Sequence, residues 1–291
     1  MLTADAVMDR ATWRALLPDL TLEAGPADGA PTAVFRPLDS VLVDLRREGY
    51  LNEPGVLPLE AVTRLAQAAG RLVERGVPPV FLWIYDTPWQ VIQAFDPFLR
   101  AVLGDYGVLP EIWTWFVPPS DDAAGWRPHR DQPHRVVDPD GSPHSLTLWL
   151  PLSDATVLNG CMYLVPMHLD PDVTRPGVHL LVHNVQELRA LPAAAGSMLA
   201  WNQNILHWGA RSSRLAAGPR ISMACQFQRA RPPVLGRPVF PPFPAPRFDL
   251  RVFLVARAIL GYGTMTPIAP ELRELAQELK DRLYEPIANA P

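Results

Sequence analysis

The segment Ser145-Leu-Thr-Leu-Trp-Leu-Pro-Leu152 alternates between two kinds of side chain with the two-residue period of a β-strand. Every second residue from Leu146 is a leucine, so one face suits packing in a core. Thr147 and Trp149 lie on the other face, whose mixture of polar and aromatic groups favours a pocket wall over the alternative, a solvent-facing surface. The segment therefore predicts a strand with two chemically different faces.

Five further short segments carry apolar or alternating patterns bounded by Gly, Pro, Asn and Asp. They are residues 111–117, 161–166, 177–183, 197–201 and 220–228. Six strands without long intervening helices predict an antiparallel sandwich or jelly roll with helices packed outside it. The spacing of apolar residues predicts such helices at 58–75, 251–260 and 271–284.

Composition narrows the class of partner. The 291 residues are 48% hydrophobic and 19% charged, and the formal net charge is only -4 with no run of Lys or Arg. We therefore expect a substantial core and a small-molecule partner, with neither nucleic acid nor a membrane. The first 19 residues lack the apolar stretch of a signal peptide, so we expect a cytoplasmic protein. The two cysteines, Cys161 and Cys225, are expected to be reduced and buried.

The C-terminal part differs in composition from the rest. Seven of the 34 prolines fall between Pro232 and Pro246, which predicts an extended strap that packs across the domain. We therefore predict one domain over residues 1–291. Residues 40–230 would hold N-terminal helices and the β core, and residues 231–291 the strap and the C-terminal helices. The sequence leaves the oligomeric state open.

A candidate metal site begins in Trp126-Arg-Pro-His-Arg-Asp-Gln132, where extended backbone turns His129 and Asp131 to one face. Such a pair alone is weak evidence, since a loop histidine often bonds to a neighbouring carboxylate. His207, which ends a run predicted as strand, turn and next strand, supplies a third ligand. Two imidazoles and one carboxylate leave open coordination positions, which suits ferrous iron in oxygen chemistry, although zinc could use the same residues.

Arg220 favours iron over zinc. It begins the predicted strand 220–228, where the two-residue period aims Arg220 and Ser222 at the same interior. A buried arginine needs an anionic partner. The far carboxylate of 2-oxoglutarate meets that need through a forked charge-assisted pair, supported by the Ser222 hydroxyl. The alternatives are an Arg220 that reaches solvent or pairs with a protein carboxylate.

Together these residues resemble the phytanoyl-CoA dioxygenase family of Fe(II)- and 2-oxoglutarate-dependent oxygenases. The resemblance runs from Arg47-Glu-Gly-Tyr-Leu-Asn-Glu-Pro-Gly-Val-Leu57 to about residue 228. Its specific parts are the His-x-Asp pair, Asn159-Gly-Cys161, and His207 followed by Arg220-Ile-Ser222. It implies a mainly β fold with flanking helices, an α+β class built on a double-stranded β-helix, the cupin-like jelly roll.

The resemblance also implies a chemistry for the site. Fe(II) would be bound by His129, Asp131 and His207. 2-Oxoglutarate would chelate the iron and place its far carboxylate at Arg220 and Ser222, with O2 at the remaining position. We place Thr147 and Trp149 on the wall of this cofactor pocket. The implied reaction is hydroxylation of a small-molecule substrate with release of succinate and CO2.

Three departures from the family's pattern leave the substrate open. Arg130 stands where members often carry glutamine, Pro166-Met-His168 replaces a Pro-Gly-Ser-His motif, and Trp208-Gly209 replaces Gly-Ser after the last histidine. These departures place unusual groups around the pocket. We expect substrate contacts from four residues: Arg130, His134, Tyr163 and Trp208.

Three other functions compete with this interpretation. A halogenase of the same fold carries Gly or Ala where this chain has Asp131, which argues against halogenation. A cupin-like hydrolase or isomerase that uses zinc or another metal shares the histidines and the carboxylate but has no use for Arg220. The third is a non-catalytic barrel that binds a small molecule.

Overall fold

The computed structural model describes residues 2–23, 30–123, 125–173, 184–231, 240–241, 244–263 and 268–288. The helices of these ranges are α1 (Ala4–Met8), α2 (Arg10–Leu16), α3 (Leu38–Glu48), α4 (Leu59–Glu74), α5 (Asp86–Gln93), α6 (Asp96–Leu103), α7 (Phe248–Tyr262) and α8 (Pro270–Ala288). The strands are β1 (Tyr50–Glu53), β2 (Tyr106–Val117), β3 (Ser145–Pro151), β4 (Met162–Leu164), β5 (Arg189–Leu191), β6 (Met198–Asn202), β7 (His207–Gly209) and β8 (Arg220–Arg229). Short 3-10 helices occupy Pro79–Ile84, Met167–Leu169 and Val185–Glu187.

The strands form two antiparallel sheets. The larger has the order β1-β6-β3-β8-β2 and the smaller the order β5-β4-β7. All pairings between neighbouring strands are antiparallel. Because strands that follow one another in the chain are mostly not neighbours in a sheet, the chain crosses repeatedly between the two sheets. This arrangement confirms the predicted α+β class with a jelly-roll core.

Strand β3 has the two faces that its alternation predicted. Leu146, Leu148 and Leu150 are fully buried in the main hydrophobic cluster, which also contains residues of the helices. Thr147 and Trp149, on the opposite face, line an interior cavity. Since every residue of β3 is buried, the alternative of a solvent-facing surface is wrong.

Strand β2 begins five residues before the predicted 111–117. Its pairing with β8 shifts register between Val108 and Ile112, so Pro110 and Glu111 lie in a bulge. Proline cannot donate a ladder hydrogen bond and is tolerated at such a bulge. The sequence pattern therefore suggested a boundary where the strand is only interrupted, and the bulge leaves Glu111 beside the candidate site.

The three predicted helices are present as α4, α7 and α8. Both ends of the chain contribute to one core, where Trp13, Val255 and Leu279 are buried in the same cluster. The Tyr85 hydroxyl donates to the Trp13 carbonyl at 2.8 Å, which ties α2 to the segment before α5. No helix in the described ranges has the length and apolar character that a membrane span needs.

Some predictions fall partly or wholly outside the described residues. The strand at 177–183 does so entirely. The proline-rich strap does so at 232–239 and 242–243, whereas Phe240 forms an antiparallel bridge with Val108. Cys161 and Cys225 are buried and free, as predicted.

Candidate metal and co-substrate site

A pair of backbone hydrogen bonds brings the two candidate histidines together. His129 N donates to His207 O and His207 N donates to His129 O, both at 3.0 Å. Such a reciprocal pair holds two residues directly opposite each other with side chains on one face. The ring centroids are consequently 4.3 Å apart, although the residues are remote in sequence.

The histidine rings are held in the orientation that a metal requires. Nδ1 of His129 lies 2.8 Å from the Arg127 carbonyl oxygen, and Nδ1 of His207 lies 2.9 Å from the Ile205 carbonyl oxygen. Because a carbonyl only accepts hydrogen bonds, each Nδ1 carries the proton and each Nε2 keeps its lone pair. Backbone partners of this kind are the usual support of histidine ligands.

Asp131 completes the cluster. Its Oδ1 lies 3.5 Å from His129 Nε2 and 3.7 Å from His207 Nε2. Its Oδ2 accepts hydrogen bonds from the Thr147 hydroxyl at 2.6 Å and from Trp201 Nε1 at 3.2 Å. One carboxylate oxygen is thus held by the protein while the other faces the two histidines. The three ligand atoms lie within 4.8 Å of one another, so one ion between them is geometrically feasible.

The electrostatics of the cluster favour a cation. Burial by itself raises the pKa of Asp131, but the two imidazoles and the Thr147 hydroxyl reverse this and hold the pKa below its usual range. Burial lowers the pKa of His207 to about 4, against the opposing effect of Asp131. At neutral pH the cluster therefore offers an ionised carboxylate and a neutral His207 imidazole, the protonation states of metal ligands.

The cluster opens into an inner cavity with about 440 Å³ of empty volume, part of it open to solvent. Its lining is mostly aromatic and apolar, with polar groups at the metal cluster and at Arg220. The lining consists of Trp115, Trp126, His129, Asp131, Thr147, Trp149, Met162, Trp201, His207, Gly209, Arg220, Ala224, Gln226 and Tyr262. A concave, largely apolar pocket with few converging polar groups is typical of a small-molecule site.

Arg220 lies on the wall of this cavity and is only 1% exposed. Its Nη1 donates to Ser222 Oγ at 2.8 Å, its Nε has no hydrogen-bond partner, and its Cζ lies 5.7 Å from the centre of the Trp149 ring. Burial lowers the pKa of Arg220 to about 10. Ser222 is buried but does not line the cavity, so its hydroxyl orients the guanidinium.

Two glycines leave space next to the guanidinium. A Cβ on Gly209 would lie 3.5 Å from Arg220 Nη2 and 3.1 Å from Gly125 Cα. A Cβ on Gly125 would lie 2.7 Å from Gly209 Cα, closer than real contacts allow. The close approach of these two backbones therefore requires glycine, and it keeps the cavity beside Arg220 free of side chains.

The four expected substrate residues lie in different places. Arg130 lines a wider outer cavity in front of the inner one, but its guanidinium donates hydrogen bonds to the Asp170 carboxylate at 2.6 and 3.1 Å. His134 is exposed and lines neither the inner cavity nor the outer one. Tyr163 and Trp208 stack on each other at 5.8 Å between centroids, and neither lines a cavity.

The expectation for Tyr163 therefore needs correction. Met162, the preceding residue, faces the inner cavity, because β4 pairs with β7 in a register that turns Tyr163 towards Trp208. A shift of one residue exchanges the two faces of a strand. A three-residue strand carries too short a pattern to predict which face is internal.

Several residues of the site were not predicted from sequence. Trp201 bonds to Asp131 because β6 places it opposite Thr147 of β3. Trp115 comes from β2 and Tyr262 from α7; both line the cavity. A signal did exist for Gln226, which follows Arg220 at even spacing on β8 and so shares its face.

Comparison with known proteins finds one family model that matches part of this chain. The family described as phytanoyl-CoA dioxygenase (PhyH) matches residues 86–215. The match spans the three candidate ligands and ends before Arg220. It confirms the resemblance inferred from the residues and, with it, the general class of Fe(II)- and 2-oxoglutarate-dependent oxygenases. Iron and 2-oxoglutarate are the cofactors of that class, and the His-Asp-His cluster fits the iron. A comparison with curated protein sequences found no match.

Solved structures share the fold at low sequence identity. The nickel complex of ThoJ, a non-heme monooxygenase, has a TM-score of 0.52 and 14% identity, covering 82% of this chain and 99% of its own. The non-heme alpha ketoglutarate dependent epimerase SnoN from nogalamycin biosynthesis has a TM-score of 0.48 and 21% sequence identity, and the match covers 66% of this chain and 83% of SnoN. AviO1 from Streptomyces viridochromogenes Tue57 has a TM-score of 0.48 and 18% identity, covering 69% and 100%.

Proposed function

We propose that this chain is an Fe(II)- and 2-oxoglutarate-dependent dioxygenase that hydroxylates a small-molecule substrate with release of succinate and CO2. His129, Asp131 and His207 bind the iron. Arg220, oriented by Ser222, binds the far carboxylate of 2-oxoglutarate. Thr147 and Trp149 form the adjoining wall of the cofactor pocket.

The observation that carries the proposal is the partner of each buried arginine. In the described part of the chain three arginines are buried: Arg130, Arg220 and Arg251. Arg130 lies 2.6 Å from a carboxylate oxygen of Asp170, and Arg251 lies 2.6 Å from one of Asp86. Arg220 has no carboxylate partner among the described residues.

A buried, uncompensated guanidinium is costly and calls for an anionic ligand. The cavity beside Arg220 also contains the candidate metal cluster. Because Gly209 has no side chain, space remains next to the Arg220 guanidinium. A five-carbon diacid that chelates a metal at one end and carries a carboxylate at the other satisfies both charges at once. The fork of Arg220 suits a carboxylate in two parallel hydrogen bonds.

The protein contributes position and exclusion of water. Thr147 and Trp201 hold Asp131 Oδ2, so that Oδ1 is presented to the metal. Backbone carbonyls fix both imidazoles with Nε2 inward. Aromatic side chains around the cavity keep solvent from the reacting atoms. Ferrous iron with 2-oxoglutarate supplies the oxidation of an unactivated C–H bond.

The competing functions explain these residues less well. A zinc hydrolase or isomerase, like a plain binding barrel, has no need of Arg220 in the metal cavity. Halogenation needs a coordination position that Asp131 fills. The alternatives named for Arg220 itself also fail, because it does not reach solvent and has no protein carboxylate in the described residues.

The test is an anaerobic titration of the ferrous protein with 2-oxoglutarate. The proposal expects a weak visible charge-transfer band that saturates, and its absence in the zinc-loaded protein and in Arg220→Met. Succinate should form once oxygen is admitted. A ferrous protein that develops neither the band nor 2-oxoglutarate binding by calorimetry would overturn the proposal in favour of the hydrolase or the binding barrel.

A further inference from the structure

A wide outer cavity, here called the vestibule, lies in front of the inner cavity. It has about 1970 Å³ of empty volume, part of it open to solvent. The bulge of β2, the loop 126–132 and helices α7 and α8 line it. The two cavities adjoin each other, because both are lined by Trp126, His129, Asp131, Gln226 and Tyr262.

Aromatic side chains form the neck between the two cavities. Trp126 packs edge-on against Tyr262 at 5.1 Å between centroids and against Trp115 at 5.7 Å. Trp126 and Tyr262 line both cavities, and Trp115 lines the inner one. A molecule that approaches the metal from the vestibule therefore lies against an aromatic wall. This wall favours a flat, apolar ring system, which can stack or make edge contacts.

The vestibule carries an excess of positive charge. Among its described lining residues, apart from the candidate metal ligands, the cations Arg257 and Lys280 meet one carboxylate, Glu111. A further cation, Arg130, is matched within the protein. Arg257 lies 3.7 Å from Glu111, and both side chains are more than one third exposed, so this pair is weak.

Lys280 is the most informative of these cations. It is the only lysine in the 291 residues of a chain with net charge -4. It is half-buried and, among the described residues, has neither an ion pair nor a hydrogen bond. Arg282, on the same helix, contrasts with it by pairing with Glu278 at 2.6 Å and Asp5 at 2.7 Å. On helix α8, Arg282 is thus paired with carboxylates, whereas Lys280 is unpaired among the described residues and lines the vestibule.

We infer that the prime substrate is a small organic anion with a flat, ring-bearing end. The ring enters through the aromatic neck towards the metal, and the acidic group lies in the vestibule between Arg257 and Lys280. Charge complementarity selects the acid, and the neck selects the ring. The inference rests on the proposed function for the chemistry at the metal, whereas the binding itself is independent of it.

The test compares 2-naphthoate with its neutral isostere, 2-naphthamide. Binding is measured by quenching of tryptophan fluorescence, since Trp115 and Trp126 lie at the neck. The ferrous protein is kept anaerobic with saturating 2-oxoglutarate, so that Arg220 is already occupied. We expect 2-naphthoate to bind about two- to thirtyfold more tightly than the amide, because two partly exposed charge pairs contribute roughly 0.2 to 1 kcal/mol each.

Variants locate the acid site. Lys280→Gln and Arg257→Gln should each weaken 2-naphthoate binding about two- to fivefold, and the double variant more, with no change for the amide. Glu111→Gln should strengthen 2-naphthoate binding, because it removes the opposing carboxylate. Arg282→Gln is the matched control on the same helix and should leave binding unchanged. All of these residues are at least partly exposed, so the variants should fold.

Acetylation provides a second measurement. Lys280 and the amino terminus are the only amines, so 2-naphthoate should slow acetylation of Lys280 alone, as followed by peptide mass spectrometry. Equal affinity for acid and amide, or unchanged binding in the double variant, would overturn the inference. So would 2-naphthoate binding that depends on Arg220 instead. If 2-oxoglutarate fails to bind while 2-naphthoate binding still depends on Lys280, the proposed function fails and this inference stands.

Discussion

Replacement of Arg220 by alanine tests the link between the fold and the co-substrate. Arg220 is 1% exposed, and its pKa falls from 12.5 to about 10 through burial. At about 1.4 kcal/mol per pKa unit, the desolvated guanidinium carries a penalty of about 3.5 kcal/mol in the free protein. A bound carboxylate removes that penalty, so the free arginine is already prepared to bind an anion.

The expected loss follows from the hydrogen bonds of the fork. Hydrogen bonds to charged groups contribute about 1.5 to 3 kcal/mol each. Loss of even one weakens binding about tenfold to more than about a hundredfold. Arg220→Ala should therefore raise the dissociation constant of 2-oxoglutarate at least about tenfold and leave iron affinity nearly unchanged. Arg220→Lys should recover only part of the loss, since an ammonium group cannot form the planar fork.

The assay is anaerobic calorimetry of 2-oxoglutarate binding with iron held saturating. Thermal unfolding gives a second readout, because ligand at about 100 times its dissociation constant stabilises the folded state by about 2.7 kcal/mol. A variant that binds about a hundredfold more weakly keeps about 0.4 kcal/mol at the same concentration. An unchanged dissociation constant in Arg220→Ala would refute the reasoning. The nearby Arg211 and Arg214 are both exposed and would then need testing.

The remaining predictions concern the candidate metal ligands and a second buried arginine, Arg251. His129→Ala, Asp131→Ala and His207→Ala should each abolish iron-dependent turnover while circular dichroism shows an intact fold, and full activity in any one would exclude that residue from the site. Asp131→Gly should still bind 2-oxoglutarate at iron but lose hydroxylation, and wild-type hydroxylation rates would show that another group is the ligand. Arg251→Met should lower the free energy of unfolding in urea by about 3 to 5 kcal/mol, because it leaves the buried Asp86 carboxylate without its ion-pair partner. Arg220→Met, the matched variant, should not lower it in the absence of 2-oxoglutarate, and a comparable loss there would mean that Arg220 has a structural partner.

Much of the candidate site was predictable because its ligands come from short extended segments. In these segments the two-residue period places His129 with Asp131 and Arg220 with Ser222. The charge of Arg220 in an otherwise apolar strand was itself a signal, since burial makes an anionic ligand necessary. The same period predicted the two faces of β3. The strands that went unpredicted, β1 and β5, have four and three residues, too few for a periodic pattern.

Side-chain contacts between different strands and loops could not be predicted in the same way. Trp201 reaches Asp131 only because β6 and β3 pair in one particular register. Tyr163 was expected in the pocket, but Met162 occupies that position. Arg130 lies beside two metal ligands in sequence, yet its charge is directed to Asp170. In each case a short segment is compatible with either face, and contacts with distant parts of the chain select one.

The sequence by itself determined the strand faces, the candidate ligand set and the need of Arg220 for an anion, because all three follow from the local geometry of extended backbone and from the cost of burying charge. The tertiary structure alone decided what surrounds that site. Helices α7 and α8 bring Tyr262, Arg257 and Lys280 to the mouth of a cavity whose candidate metal ligands precede them by fifty residues or more. No local period encodes that approach, since it depends on how apolar faces from both ends of the chain pack into one core.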